Sequence, residues 1–474
     1  VLGAELTYVQ GGAEAGPMPT ARMTPAYLSL SSEPALDDSS EGREVELSPE
    51  ILTKAQELGT AKAAYDFVKN ETRLDWYYGS LKGSTQTLRE RRGNDADLSA
   101  LLVALLRAQG TPARFVHGTV ELSVEQIAAS LGMLTGEEVV KLDAATAGGA
   151  AFSLSPEKSA QVTQALNAAA IPYEPLVRGG RVAAVKLVRV WVEAYVDFAE
   201  YRGVGSGKVG RQWVALETTL TGQAKAAATP PVLDSLTSLG ETPDTLTATW
   251  LSAPTQQSMV EFVRGRVESY LSAQRPDIFY SQVQWTVVPR REELPLLPGS
   301  LPYQVHSVHG ESAFLPESLQ QRVRLTARNE AGPLFELTLP FHQLTGHRTV
   351  LTHVPATETD RQLIELAGGL YAAPASLVEV RPVVRINGRE VAAASRGVGL
   401  GTPYQWSMEV LLPGGGSRRI DNRVVAGNVV AIGVGAPGNH YQETENEELE
   451  DLDGPAPRFL YARAAAYANA WTQG

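Results

Sequence analysis

The sequence predicts an α+β protein in which a domain of helices and antiparallel strands is followed by an antiparallel β-sandwich. Two observations predict this order. Between residues 48 and 230, segments with helical spacing of apolar residues are followed by long stretches in which apolar and polar residues alternate. From 280 to 440, short alternating segments are separated by turn sequences such as Asn387-Gly388 and the glycine run at 414–416, which is typical of a sandwich.

Composition narrows the classes of function. At 474 residues, and with roughly 100 to 200 residues per domain, the chain should hold about two to four domains. A net charge of −12 without a basic stripe argues against a nucleic-acid partner. Because no run reaches about 18 apolar residues, no membrane-spanning helix is predicted. The absence of cysteine excludes disulfides, zinc–thiolate sites, iron–sulfur clusters and cysteine catalysis.

The first elements follow from capping and spacing. Residues 1–47 are rich in Pro, Ala, Gly, Ser and Glu without a sustained period, which predicts an extended arm. Ser48 is suited to cap a helix whose first residue is Pro49, and the stretch TAKAAYDFVKNE predicts a second helix after it. These two helices should form a hairpin.

The stretch RRGNDADLSALLVALLRAQGTPARFVHG, residues 91–118, predicts a helix and then a strand. One apolar stripe at helical spacing is formed by Leu98, Leu101, Leu102 and Leu105. Gly110 and Pro112 end this helix, and ARFVHGTVEL has the β-branched and aromatic residues of a strand. Asp95 therefore stands at a helix N-terminus, where an N-cap is its plainest role.

A helical insertion is predicted at about 121–172, with capping boxes at Ser123 and Thr135 and a further helix start at Ser155. The stretches VAAVKLVRVWVEAYV and RQWVALETTL then alternate as strands, and they could be hairpin neighbours joined by the glycine-rich loop 202–210. One face of the first strand should enter the core. The other face should border a cleft, and it carries Arg189, Trp191, Glu193 and Tyr195.

The rest of the chain divides by composition. Residues 231–279 predict a linker with the amphipathic helix TQQSMVEFVRGRVESYLSAQ, and the sandwich is expected at 280–440. Residues 441–474 hold the acidic run ETENEELEDLDG, which favours a solvated tether, and a terminal helix with unburied apolar residues. We therefore expect the chain to be part of a longer protein.

Three separated blocks together resemble the transglutaminase-like domain of the papain-like thiol superfamily over roughly residues 48–230. The blocks are YDFVKNETRLDWYYGSLKGSTQTLRERRGND, DLSALLVALLRAQGTPARFVHGTVEL, and VWVEAYV with QWVALETTL. The resemblance implies a cysteine at a helix start, a histidine on a strand and an aspartate on the next strand. At those positions this chain has Asp95, Arg189 and Glu217.

These substitutions remove the principal chemical roles of the family. A carboxylate is a poor acyl-transfer nucleophile, and a guanidinium whose pKa exceeds about 12 does not shuttle protons near neutrality. We predict that Arg189 bridges Asp95 and Glu217 as a salt-bridge triad. The plainer alternative is that Arg189 and Glu193 are solvated strand residues.

The remaining candidates give weaker signals. For Trp191 and Trp213, structural packing is a simpler interpretation than a platform for a ligand. His117 could be mistaken for a displaced catalytic base, but the sequence offers no nucleophile for it to activate. The stretch GVGSGKVG has the wrong glycine spacing for a phosphate loop, and GVGLG opens no helix. His306 and His309 should point to opposite faces of a strand, and His342, His347 and His353 lack ordered carboxylate partners in sequence. No metal and no cofactor is expected.

The sequence therefore favours a non-enzymatic module that binds a protein or peptide, or other parts of a larger parent protein or assembly. The resemblance implies a very large bacterial protein located at the cell envelope or outside the cell. Two alternatives remain open. One is a hydrolase or acyl transferase that uses Asp95, Glu193, Glu217 or His117 in the same cleft, and the other is a self-assembling appendage or shell component.

Overall fold

The structure, a computed structural model, describes residues 33–146, 152–197, 211–220, 226–229, 239–252, 259–278, 286–289, 296–298 and 300–433. Most of the predicted arm, the glycine-rich loop 202–210 and the predicted acidic tail lie outside these residues. Within the described ranges, no helix is long and apolar enough to cross a bilayer.

Four helices begin directly after capping residues that the sequence predicts, namely Ser48, Ser123, Thr135 and Ser155. The helices are α1 (Pro49–Leu58), α2 (Ala61–Glu71), α3 (Gly83–Glu90), α4 (Asp95–Ala108), α5 (Val124–Ser130), α6 (Gly136–Thr146), α7 (Pro156–Ala168), α8 (Pro243–Ser252), α9 (Met259–Gln274) and α10 (Glu358–Leu366). The side chain of Ser48 accepts the N–H of Ile51 at the start of α1. At α4 the N-cap is Asn94, whose side chain accepts the N–H of Asp97, and Asp95 is the first helical residue. The N-cap role expected for Asp95 is corrected accordingly.

Among the described residues, the strands form a five-stranded sheet in the first part of the chain, a four-stranded and a five-stranded sheet in the second, and two further two-stranded pairs. They are β1 (Arg73–Leu74), β2 (Arg92–Gly93), β3 (Ala113–Ser123), β4 (Tyr173–Arg178), β5 (Arg181–Val196), β6 (Gln212–Leu216), β7 (Ala226–Thr229), β8 (Thr286–Pro289), β9 (Gln304–Ser312), β10 (Arg322–Asn329), β11 (Gly332–Pro340), β12 (Thr349–Pro355), β13 (Glu379–Ile386), β14 (Arg389–Ala393), β15 (Val398–Gly399), β16 (Pro403–Leu411), β17 (Ser417–Val425) and β18 (Val430–Ile432). The two-stranded pairs are β1-β2 and β7-β8.

The first sheet has the order β4-β5-β3-β9, and β6 pairs with β5 beyond the end of β4, so β5 and β6 are neighbours as predicted. All pairs in this sheet are antiparallel. The predicted sandwich boundary at residue 280 would place β9 in the second part of the chain. The structure pairs β9 with β3 instead, because an alternating strand does not reveal its partner in the sequence.

Both faces of the first sheet are covered. Helix α4 packs on one face, where its apolar stripe meets Val190, Val192 and Ala194 of β5 in one core cluster. The predicted insertion, with α5 and α7, packs on the other face in a cluster that contains Trp191. Because both faces of this sheet are buried, polar side chains of β5 lie inside the protein.

The second part of the chain is the predicted antiparallel sandwich. Its sheets have the orders β11-β10-β16-β17 and β14-β13-β12-β18, and their inner side chains share one core. The turn between β13 and β14 has φ values of 49° at Asn387 and 82° at Gly388, as a two-residue hairpin with positive φ at both positions requires. Strands β17 and β18 are edges of their sheets, and because only residues 426–429 connect them, these two edges lie on the same side of the sandwich.

The loop between β1 and α3 joins the two parts. Tyr77 and Leu81 of this loop are buried in the core of the sandwich. The hydroxyl of Thr345 donates to the carbonyl of Leu81 over 2.9 Å, and the amide of Gln321 donates to the carbonyl of Tyr78 over 2.9 Å. This loop therefore lies within the first domain in the sequence, but the side chains of Tyr77 and Leu81 pack in the core of the sandwich.

Glu44 is a buried carboxyl beside this junction. It is 0% exposed. One of its oxygens accepts the backbone N–H of Leu315, and the other accepts the side-chain amide of Gln320 over 3.3 Å. Burial raises the pKa of Glu44 to about 7, against the opposing effects of the Leu315 N–H and of Arg107. Because the folded state holds this proton more tightly than the unfolded chain, stability should fall as pH rises from about 4.5 through about 7.

We expect Glu44→Gln to remove this loss of stability. The variant should match the parent near pH 5 and exceed its free energy of unfolding by up to about 3 kcal/mol above pH 7, since each pKa unit corresponds to about 1.4 kcal/mol. Urea unfolding at a series of pH values measures the difference. Equal pH profiles for the two proteins would contradict the expectation.

Candidate functional site

The three predicted positions Asp95, Arg189 and Glu217 lie together in the structure. Asp95 is in the first turn of α4, Arg189 is on β5, and Glu217 directly follows β6. The Nε atom of Arg189 lies 3.5 Å from an Asp95 carboxylate oxygen, and its Nη2 atom lies 3.9 Å from a Glu217 oxygen. Helix α4 and two neighbouring strands therefore place one cation between two carboxylates.

Asp95 is held against the sheet by the backbone. The N–H of Val190 donates to Oδ2 of Asp95 over 2.7 Å, and the position at the start of α4 also favours a negative charge. Burial raises the pKa of Asp95, and the charge of Arg189 and the Val190 N–H oppose that rise. The carboxylate is thus fixed in place by contacts that already use the oxygen facing Arg189.

Glu217 is held by more donors than Asp95. One of its oxygens accepts the N–H of Thr219 over 2.6 Å, the N–H of Leu220 over 3.2 Å and the hydroxyl of Thr219. The other oxygen accepts the hydroxyl of Tyr303. Burial and the nearby charge of Glu217 hold the pKa of Tyr303 well above its usual value, so Tyr303 stays a donor.

Arg189 is almost completely buried, at 3% exposure. Its Nη2 atom donates to the hydroxyl of Thr219, and its guanidinium lies 5.3 Å from the centre of the Trp76 ring. The Nε atom makes no hydrogen bond, so its 3.5 Å contact with Asp95 is an ionic contact only. Burial opposes the charged form, but Asp95 and Glu217 hold the pKa of Arg189 above its usual value.

The crevice beside these residues is small. It is lined by Asp75, Trp76, Tyr77, Tyr78, Asn94, Asp95, Ile171, Leu187, Val188 and Arg189. Its volume is 10 Å³, which is about the space that one water molecule requires. The described residues therefore leave no room for a peptide side chain next to Asp95.

The other predicted cleft residues on the strands lie apart from this crevice. Trp191 is 1% exposed and packs in the second core cluster, with its ring 6.5 Å from that of Tyr303. Glu193 is 0% exposed and pairs with Arg114 over 2.7 Å, while the guanidinium of Arg114 lies 4.1 Å from the Trp213 ring. The strand face expected to border an open cleft is therefore buried at Trp191, which the insertion covers, and at Glu193, which pairs with Arg114, whereas Tyr195 is half-buried.

His117 lies on β3 opposite Val190, the residue whose N–H donates to Asp95. Its ring makes an edge contact with His309 at 6.0 Å, and burial and that neighbour lower its pKa. His306 bonds Glu121 over 2.9 Å, and His309 lies 3.0 Å from the hydroxyl of Thr119, which shares a face of β3 with Glu121. Two register shifts in the β3–β9 pairing bring His306 and His309 to one face, which corrects the prediction of opposite faces.

Among the residues that the structure describes, no three His, Cys, Asp or Glu side chains form a group able to hold a metal ion.

Sequence reasoning missed Tyr303, Thr219 and Trp76 as members of the candidate site. Thr219 is two residues from Glu217 and could have been found by its position. Tyr303 is 86 residues from Glu217, and only the pairing of β9 with β3 shows that they meet.

A helix packed on an antiparallel sheet, with three charged side chains between them, defines the class of fold. A family model described as the transglutaminase-like superfamily matches residues 46–218. The chain thus contains a transglutaminase-like superfamily domain, and further antiparallel strands follow it. Comparisons with curated proteins and with solved structures gave no match.

Proposed function

We propose that the transglutaminase-like domain of this chain is catalytically inactive and acts as a protein-binding or structural module. One observation carries the proposal: Asp95, Arg189 and Glu217 form a set with paired charges, in which Arg189 and Glu217 are buried and Asp95 is partly buried, where the resemblance implies a cysteine, a histidine and an aspartate. A closed ion-paired set stabilises a fold and offers neither a free nucleophile nor a base.

The chemistry of each residue supports this proposal. The Asp95 oxygen nearest to Arg189 is occupied by the Val190 N–H, so an attack on a carbonyl would first have to break that hydrogen bond. Arg189 stays protonated near neutral pH, because Asp95 and Glu217 hold its pKa above the usual value, so it cannot accept a proton as histidine does. The crevice beside Asp95 has a volume of 10 Å³, about that of one water molecule and smaller than an acyl group.

The partner we propose is a protein or peptide, or another part of a larger parent protein. The net charge of −12 disfavours nucleic acid. A bacterial surface or secreted location follows from the resemblance alone. Self-association is a separate possibility, and light scattering of the purified chain distinguishes a regular assembly from a monomeric binding module.

We expect the chain to show no acyl transfer. A glutamine peptide incubated with the protein and a labelled primary amine should release no ammonia and gain no amine, whereas an active transglutaminase under the same conditions should do both. The same incubation in H₂¹⁸O tests the non-cysteine alternative. Attack by Asp95 on the glutamine amide would expel ammonia and form an anhydride. Its hydrolysis would leave ¹⁸O in the product glutamate or in Asp95, and mass spectrometry of both peptides detects either outcome.

Ammonia release or ¹⁸O incorporation that disappears in Asp95→Asn would overturn the proposal and favour a hydrolase or acyl transferase. Release that persists in Asp95→Asn would point to a contaminant or to another site. The matched control is Asp277→Asn, because Asp277 is exposed and its ion pair, with Arg275 over 2.9 Å, is far from Asp95 in sequence.

A further inference from the structure

The charges of the chain are segregated along its length. Residues 322–432, which form the sandwich, contain twelve arginines, nine acidic residues and no lysine, a net charge of +3 in a chain of net charge −12. Residues 443–453 contain seven acidic residues and no basic residue. One part of this chain is therefore complementary in charge to another part that follows it closely.

Two free arginines lie in one row across the outer face of the sheet that contains β10. Arg328 of β10 is opposite Gln405 of β16, and Gln405 is opposite Arg423 of β17. Both arginines are exposed, and neither has an ion pair within the described part of the chain. Neighbouring strands lie about 4.8 Å apart, so the two Cα atoms are separated by roughly 10 Å.

The other arginines on this face are already engaged. Arg419 pairs with Asp421 over 2.8 Å, and Asp421 also accepts the hydroxyl of Ser407. Arg324 pairs with Glu409 over 3.1 Å. Glu409 and Asp421, the acidic residues on this face of β16 and β17, are thus occupied, and the row of Arg328 and Arg423 keeps its guanidinium groups available for other carboxylates.

The acidic residues can reach this row. Strand β18 ends at Ile432, and it is the sheet edge on the same side of the sandwich as β17. The ten residues between Ile432 and Glu443 span up to about 35 Å when extended. The two sheets are about 10 Å apart and the four-stranded sheet is roughly 15 Å wide, so the tether covers the distance.

We propose that the acidic segment 443–453 of this chain binds across the outer face of the β11-β10-β16-β17 sheet, with carboxylates on Arg328 and Arg423. Arginine presents a planar fork of donors that binds carboxylates in pairs. Each exposed pair contributes only about 0 to 1 kcal/mol, but the short tether keeps the acidic segment at a high effective concentration. The contact covers the basic face of the sandwich and weakens as salt screens it.

The natural absence of cysteine makes this contact measurable in the full chain. Ala331→Cys places one label in the exposed turn beside Arg328, and Asn446→Cys places the other in the acidic segment. Pulsed electron–electron double resonance measures the distance between the two nitroxide labels and should show a short-distance population at low salt. This population should shift to longer distances at roughly 1 M NaCl, where the Debye length is about 3 Å.

The double variant Arg328→Gln/Arg423→Gln should lose the short-distance population. Arg389→Gln is the matched control, because Arg389 is exposed on β14, at the far edge of the other sheet, and should leave the population unchanged. An unchanged distribution in the double variant would overturn the proposal. A short distance that appears only when singly labelled molecules are mixed would also overturn it, in favour of binding between two copies. Neither outcome bears on whether the Asp95 site is inactive.

Discussion

Replacing Arg189 with alanine should lower the free energy of unfolding by about 3 to 5 kcal/mol. The reason is the burial of its partners. Arg189 and Glu217 are each 3% exposed, and the side chain of Asp95 is 13% exposed. Removing the cation leaves two carboxylates inside the protein without the charge that offsets their desolvation. It also leaves the hydroxyl of Thr219 without its guanidinium partner.

Urea unfolding followed by circular dichroism measures this loss. The matched control is Arg178→Ala, because the Arg178 side chain is 73% exposed and its contact with Glu121 is 3.4 Å long, so a change within about 0.5 kcal/mol is expected. The triple variant Asp95→Asn/Arg189→Met/Glu217→Gln should recover much of the stability, since it removes all three buried charges together. An Arg189→Ala protein that unfolds like the parent would contradict the ionic bridge.

The pH dependence of the Arg189→Ala variant has a definite sign. Burial already raises the pKa of Asp95, and Arg189 is the strongest group that opposes the rise. Without Arg189 the folded-state pKa of Asp95 should rise further, so the folded protein binds a proton that the unfolded chain has lost. Stability of the variant relative to the parent should therefore decrease as pH rises above the unfolded pKa of Asp. The deficit should be larger at pH 8 than at pH 5.

Local elements were predictable from the sequence because their signals are local. The leucine stripe of α4, the caps at Ser48 and Ser123 and the turn at Asn387 all depend on residues within one helical turn or one hairpin. The convergence of Asp95, Arg189 and Glu217 was predictable only through the family resemblance, since 94 residues separate Asp95 from Arg189.

The remaining features depend on packing between distant segments. The alternation on β5 correctly separated Arg189, Trp191 and Glu193 from the apolar face, but polar residues on one face do not distinguish a cleft from a second core. The structure resolves this because Arg114 neutralises Glu193 and the insertion covers Trp191. The partner of β9 and the burial of Glu44 by the segment around Leu315 likewise require a three-dimensional fold.

Asp97 connects the two cores through the loop that precedes α3. It is 0% exposed, and its carboxylate accepts the hydroxyls of Tyr77 and Ser80 over 2.5 and 2.7 Å. It also accepts three consecutive backbone N–H groups, at 3.1 Å from Leu81, 3.0 Å from Lys82 and 3.1 Å from Gly83. Because Tyr77 and Leu81 pack inside the sandwich, one carboxylate of the first domain fixes the segment that docks into the second core.

We expect Asp97→Ala to be the most destabilising single change described, with a loss of about 5 kcal/mol, because each buried donor left without an acceptor costs about 1 to 3 kcal/mol. Asp97→Asn should lose roughly half as much, since its amide keeps one acceptor oxygen but turns an N–H toward the loop donors. Urea unfolding measures both values. Asp277→Ala makes the same chemical change at an exposed position, where the side chain is 65% exposed, and should have little effect.

The position of Asp97 also predicts how its variants unfold. If this carboxylate holds the loop that joins the cores, its loss should separate their unfolding into two transitions, with the sandwich and the transglutaminase-like domain melting at different temperatures. Calorimetry should show one unfolding transition for the parent and two for Asp97→Asn. A single transition at a lower temperature in the variant would mean that Asp97 stabilises only its own domain and that other contacts, such as that of Thr345 with Leu81, couple the cores.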